Sequence, residues 1–224
     1  MSRRILILLI LGAVLLVTLP KIITTGSRTW TFATTANGLT TIAMLGPDEW
    51  TLNPMSPNGL FISPGIAKWL LLHTDFPYAP CRKPNIFCEA PIVSFVGAAA
   101  NLQKSNPAKR ELAFMLLSHF ISHGVSINAK HSGFTSLHDA VLLTDIRYLD
   151  VLLAAGPDVR IKSDASPFNK RYAGLTPYEY CLKLVDAGDT RRALLCEHLR
   201  IREADALVAT PARPSKKTSD DPIN

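Results

Sequence analysis

The sequence predicts a mainly α fold in which about three helical hairpins stack into a solenoid behind an irregular N-terminal cap. Two observations carry this. The octet Gly133 to Ala140, G-F-T-S-L-H-D-A, returns about forty positions later at Gly174 to Cys181 as G-L-T-P-Y-E-Y-C. Upstream, Phe120 to Asn128 reads F-I-S-H-G-V-S-I-N and aligns with the stretch from Leu152, L-L-A-A-G-P-D-V, at a spacing of thirty-two residues. A period of this size marks supersecondary units that stack because none buries its apolar face alone. The chain then divides into residues 1–24, a signal peptide or signal anchor; 25–89, an irregular cap; 90–206, the hairpins; and 207–224, a disordered tail.

The start, Met1-Ser2-Arg3-Arg4, is followed by an apolar run from Ile5 to Val17. A short basic region before an apolar core is how a secretory signal begins. The run falls short of the ~20 residues of a comfortable membrane span, and Pro20 and Lys21 interrupt its continuation to Ile22 and Ile23. No small-x-small cleavage site follows directly, and Ala33-Thr34-Thr35-Ala36 lies far along. An export signal and an uncleaved signal anchor both fit, with the body beyond the membrane. In the cap, Trp30-Thr31-Phe32 and Thr41 to Leu45 read as short strands. Ser63-Pro64 caps a helix from Gly65 to His73, and Pro77, Pro80 and Pro84 then make an irregular loop.

The hairpins follow in order. A helix from Ala90 to Leu102 pairs with one that Asn106 caps and Pro107 opens, with Leu112, Phe114, Met115, Leu116 and Phe120 as its apolar face. In the second unit Gly133 permits a turn, Thr135 caps, and Ser136 takes the first helical position that Pro177 takes in the second octet. Leu137 and Ala140, three apart, share the face turned to the neighbouring hairpin. Asp145 caps the partner helix, Ile146 to Ala154, whose stripe is Ile146, Leu149, Leu152 and Leu153 and whose end is Gly156. The third unit runs through Leu182, Leu184 and Val185, turns at Gly188-Asp189 and ends in a helix from Thr190 to about Ala206. Arg191, Arg192, Glu197, Arg200, Arg202 and Glu203 give it the polar outer side a terminal unit needs.

The first octet resembles the ankyrin-repeat signature G-x-T-P-L-H-x-A, with Ser136 where proline is usual. The second keeps Gly174, Thr176 and Pro177 but places Tyr178, Glu179 and Cys181 where leucine, histidine and alanine are usual. Leu152 to Val159 is similar to the family's L-L-x-x-G-A-D-V, and the resemblance spans about Ala90 to Glu203. It implies that His138 bonds to backbone between repeats rather than acting in catalysis. It also implies that the connections between hairpins are fingers that project beside the inner helices and touch partners. The connection holding Ser163 to Ala173 is about eight residues longer than the one before Gly133. Its Phe168, Lys170, Arg171 and Tyr172, joined by Asp139 and Leu143 from the exposed face of the inner helix, are the candidate partner-binding residues, of types partly enriched at interface hot spots. A solvated loop whose aromatics fold back on the array is the competing reading.

Cys81 and Cys88 share the Pro-rich loop and are a candidate disulfide in an oxidising compartment. Cys181 and Cys196 fall on the two helices of the last unit, and Cys181 stands at a buried-alanine position, so both read as small apolar residues rather than a bridge. No cysteine pair has zinc-knuckle spacing, and His119 and His123 lack the glutamate of H-E-x-x-H, so no metal or other cofactor is expected. No nucleophile elbow, phosphate loop or dinucleotide fingerprint is present, and no enzyme is expected. Lys and Arg total 24 against 18 Asp and Glu. The surplus is scattered without aromatic interleaving, which fits a solvated surface better than nucleic-acid binding.

These readings lead to an exported protein-binding module whose partner is another protein, with the inner membrane touched through the N-terminal segment. Small exported bacterial ankyrin proteins of this kind are similar to immunity proteins that neutralise antibacterial toxins in the periplasm, including lipase effectors of type VI secretion. Ankyrin proteins that assist periplasmic redox enzymes, or an enzyme with its site in residues 26–89, are the alternatives.

Overall fold

A computed structural model of the chain describes residues 18–27, 29–45, 60, 62–75, 91–167 and 170–209. The expected disulfide between Cys81 and Cys88, Phe168 of the candidate site, and the tail beyond Ala209 lie outside the described residues. The described chain is mainly helical, as its sequence predicts. Its one described sheet is a two-stranded hairpin.

The N-terminal region departs from expectation. Residues 18–27 and 29–33 are helical, followed by α1 (Ala36–Thr40) and a π-helical turn (Thr41–Leu45), where two strands were expected. Threonine explains the misreading and the outcome together. Thr29, Thr31 and Thr41 each return their hydroxyl to the carbonyl four residues back, at 2.8, 3.0 and 2.9 Å. These β-branched residues thus satisfy their own polar groups inside a helix. Helix runs without a break across residues 24 and 25. α2 (Pro64–His73) keeps its predicted cap: Ser63 Oγ accepts from Ile66 N at 3.2 Å.

Three hairpins follow. The first pairs α3 (Ile92–Leu102) with α4 (Pro107–Ser122), the second α5 (Ser136–Leu143) with α6 (Ile146–Ala154), and the third α7 (Pro177–Asp186) with α8 (Ala193–Ala209). α8 extends three residues beyond the predicted end at Ala206. The caps read from sequence are made. Asn106 Oδ1 accepts from Lys109 N at 3.1 Å and Asp145 Oδ1 from Tyr148 N at 3.2 Å. Thr176 and Glu179 form a reciprocal capping box. Each such cap stabilises by about 1 kcal/mol.

α5 packs between α3 and α7, and behind this row α6 packs between α4 and α8. α1, the π-turn and α2 close the open side of the first hairpin. One core cluster runs the length of the described body from Leu39 to Leu199. Leu137 and Ala140, 1% and 0% exposed, lie on the packed face as their spacing predicts. Tyr148 joins the first two hairpins: its fully buried ring lies over Gly97 and its hydroxyl donates to Val93 O at 3.1 Å. A Cβ at Gly97 would fall 2.1 Å from that ring, so glycine is required where the tyrosine crosses.

Two expectations for the last unit are corrected. Cys181 and Cys196 are bonded to each other across fifteen residues, tying α7 to α8. Their helices run antiparallel in contact, and burial and bonding proved compatible. A closed loop of this length stabilises by roughly 3 kcal/mol. Arg192 is not part of a solvated outer face but 8% exposed. Its Nε and a terminal nitrogen donate to the Val141 and Leu142 carbonyls at 2.9 and 3.0 Å, and it pairs with Asp189. It thereby donates to carbonyls in the last turn of α5 from the neighbouring hairpin.

Candidate partner-binding site

The two connections between hairpins run side by side, and their geometry defines the candidate surface. The first folds as a β-hairpin, Lys130 paired with Thr135 and His131 with Phe134. Ser132 and Gly133 turn it with φ of 50° and 85°, the two positive values that a tight two-residue turn of this twist needs. The second connection lies against it. Asp164 N donates to Gly133 O at 2.8 Å, Lys130 Nζ meets Asp164 Oδ1 at 2.7 Å, and Asp158 N donates to Asn128 Oδ1 at 3.0 Å.

Ser163, 3% exposed, closes the base of the longer connection. Its N–H donates to Leu175 O and its carbonyl accepts from Gly174 N, both at 2.8 Å, while its hydroxyl bonds Tyr172 O and accepts from Leu175 N. The two ends of the insertion are therefore held together on a fixed base. Nothing in the sequence marks Ser163 among its neighbours, because its role lies in backbone pairing twelve residues away.

His138 performs the bridging role that the resemblance implies. Its Nδ1 accepts from Thr135 N at 3.3 Å, inside the first turn of α5. Its Nε2 donates to Leu175 O at 3.1 Å, just before the second octet. Burial lowers its pKa to about 4, because an imidazolium here would lose both its solvation and its acceptor nitrogen. Phe134 and Tyr180 pack on its ring and Tyr172 packs on Tyr180, an aromatic cluster with ring centroids 5.1–5.7 Å apart.

Of the six residues expected at the site, Lys170 and Arg171 are exposed on a 3-10 turn, Lys170–Tyr172. Tyr172 is half-buried and packs edge-on against Tyr180, with the Arg171 guanidinium 5.8 Å over its ring. For this aromatic, folding back on the array is what occurs. Asp139 is half-buried rather than freely presented. Burial raises its carboxyl above the usual range, against a hydrogen bond from Ser94 and the charge of His131. Leu143 packs on the core, and Leu142, 49% exposed, is the leucine turned outward. The run Ala140-Val141-Leu142-Leu143 is apolar throughout, so periodicity in an eight-residue helix does not tell the two leucines apart.

The surface so built is basic. Lys130, Arg160, Lys162, Lys170 and Arg171 are exposed on the two connections, against the carboxylates of Asp158 and Asp164. Its cations come from both connections and sum only because the connections touch, which is why the sequence shows them as scattered. On the other layer, an open groove of about 310 Å³ lies between α6 and α8, where His198 Nδ1 meets Asp150 Oδ1 at 3.1 Å. At the end of α4 the His119 and His123 rings lie tilted to each other with centroids 4.1 Å apart, and His123 Nδ1 donates to His119 O. Among the described residues no group of three or more His, Cys, Asp or Glu is placed to hold a metal. No family model, curated protein or solved structure matches this chain.

Proposed function

We propose that this chain is an exported ankyrin-type repeat module that binds another protein. The observation that carries the reading is the pairing of the two connections with His138 between them. It brings both copies of the octet into one surface, fixed by hydrogen bonds at its base and open at its edge. A rigid edge lowers the ordering cost of association, and its surplus of cations selects a partner with an acidic face. The partner class that fits an exported module of this size is an antibacterial toxin neutralised in the periplasm, a secreted lipase effector being the example suggested by resemblance. Neutralisation needs coverage of the toxin's site, so the module itself acts without catalysis.

Co-expression of the full chain with the product of the adjacent gene, directed to the periplasm, tests this. The expected result is survival that depends on the chain, with a complex recovered by size-exclusion chromatography. Killing unchanged by the chain, with no complex formed, refutes the toxin reading. Charge reversal at Lys162, Lys170 and Arg171 tests the surface. It should slow association at least tenfold at low salt and flatten its salt dependence, whereas unchanged kinetics move the interface elsewhere.

A further inference from the structure

Three histidines gather where the cap meets the first hairpin. α2 and α4 are in contact, and α2 buries Ala67 and Leu71 in the core cluster to which Leu117 and Phe120 of α4 belong. The His119 ring is half-buried and bonds the backbone of Leu71, in the last turn of α2. His123 lies beside it, with ring centroids 4.1 Å apart. His73, the last residue of α2, comes close enough to the same ring for its charge to act on it, while its own ring stacks on Trp69 at 5.3 Å. Backbone carbonyls orient two of the three: His73 Nδ1 donates to Trp69 O at 2.9 Å and His123 Nδ1 to His119 O at 2.8 Å. With Nδ1 holding the proton of each neutral ring, a further proton enters at Nε2 and makes the ring a cation.

We infer that His73, His119 and His123 form an acid-sensitive latch: neutral, they let α2 close over the first hairpin, and charged, they push its end off α4. Two neutral imidazoles tolerate a 4.1 Å approach, whereas two imidazolium ions at that distance repel, and the third, carried by the other helix, turns the repulsion across the seam. The dipoles of α2 and α4 act the other way, since each favours a cation in its last turn. The His119 pKa shows which effect is larger at this ring. Burial and then the charge of His123 lower it, with a smaller push from His73, against the bond to Leu71. The unfolded chain therefore keeps a proton that the folded ring releases, so closure is strongest above the ordinary value of 6.5 and weakens as pH falls below it. Among the described residues the elements packed on α4 bring few other charges. α3 and the π-turn carry no titratable side chain, and Arg147 and Asp150 of α6 pair with Glu111 and His198, while burial keeps Tyr148 neutral. Lys109, Arg110 and Glu111 stand at the opposite end of α4. On α2, Lys68 adds to a positive cluster, and Asp75, two residues past its end, subtracts from it.

The latch acts whether or not the chain is exported or binds a partner, and the chain alone tests it. Hydrogen exchange of the full chain, resolved by peptide mass spectrometry and corrected for intrinsic exchange, is followed at pH 7 and pH 5. Protection of residues 64–73 should fall several-fold on acidification, and by less at high salt, which screens the charges. In a chain carrying both His119→Gln and His123→Gln most of that loss should disappear, while the loss over residues 177–186, which reports the rest of the body and His138, stays as it was. His73→Gln, at the exposed end of α2, tests the seam from its other side and should also shrink the loss, so the outcome does not depend on the double variant folding. Protection over residues 64–73 that survives acid in the native chain, or a loss equal in native and substituted chains or indifferent to salt, overturns the latch.

Discussion

Acidification should weaken this fold through His138, by an amount that follows from its surroundings. In the unfolded chain the imidazole titrates at its ordinary value of 6.5, and in the folded body it does so at about 4. Between these values the unfolded state binds the extra proton, so stability rises with pH there and is lost as pH falls from about 6.5 towards 4. At 1.36 kcal/mol per unit, the loss is about 2 kcal/mol at pH 5 and approaches 3 kcal/mol at pH 4. That is a large part of the ~5–15 kcal/mol that holds a typical domain together.

The measurement is urea unfolding across pH 7 to 4 for the native chain and for His138→Gln. Glutamine can still reach back to Thr135 N, as Glu179 does to Thr176 N at 2.8 Å in the second octet, but it does not titrate. Asp139 works in the opposite sense. Its raised pKa means that its ionised form opposes folding, and acid relieves this. Because Asp139 is present in both proteins, subtracting the two pH profiles isolates the histidine. The difference should open below about pH 6.5 and reach ~3 kcal/mol. Parallel profiles would show that His138 is not held neutral between Thr135 and Leu175, and the account of how the two octets are joined would fall with it.

Gly97→Ala should lower stability by about 2 kcal/mol or more, since the Tyr148 ring is held by its bond to Val93 O and has little freedom to retreat; the loss should shrink in a Tyr148→Ala background, as a double-mutant cycle reads. Replacing both Cys181 and Cys196 with serine should cost roughly 3 kcal/mol under oxidising conditions and reduce the response of the melting temperature to reductant. Tyr172→Ala should lower the melting temperature while Arg171→Ala leaves it unchanged, because Tyr172 packs on Tyr180 and Arg171 is exposed; equal effects would place Tyr172 outside the aromatic cluster. Leu137→Asp should unfold the second hairpin, as it puts an unpaired carboxylate at a position 1% exposed, and an unchanged melting temperature would refute the packing of α5.

What the sequence makes legible here is what neighbours in the chain decide. Asn106, Thr135, Asp145 and Thr176 announce helix starts because a cap needs only a short polar side chain and the free amides two or three residues on. Leu137 and Ala140 announce a packed face because helical spacing is local too. The misreadings share the opposite property. Arg192 looks like a surface residue until the carbonyls of Val141 and Leu142, some fifty residues away, are beside it. Cys181 looks like a small core residue until α8 brings Cys196 against it. At the candidate site the same division holds: the octet marks where the inner helices begin, whereas the basic edge exists only because Asp164 docks on Gly133. Thr29, Thr31 and Thr41 show that even local signals yield when a second local interaction competes. Their β-branched shape argues for strand, their hydroxyl bonds to the fourth carbonyl back argue for helix, and burial of Leu39, Ile42 and Met44 against the first hairpin favours the helix.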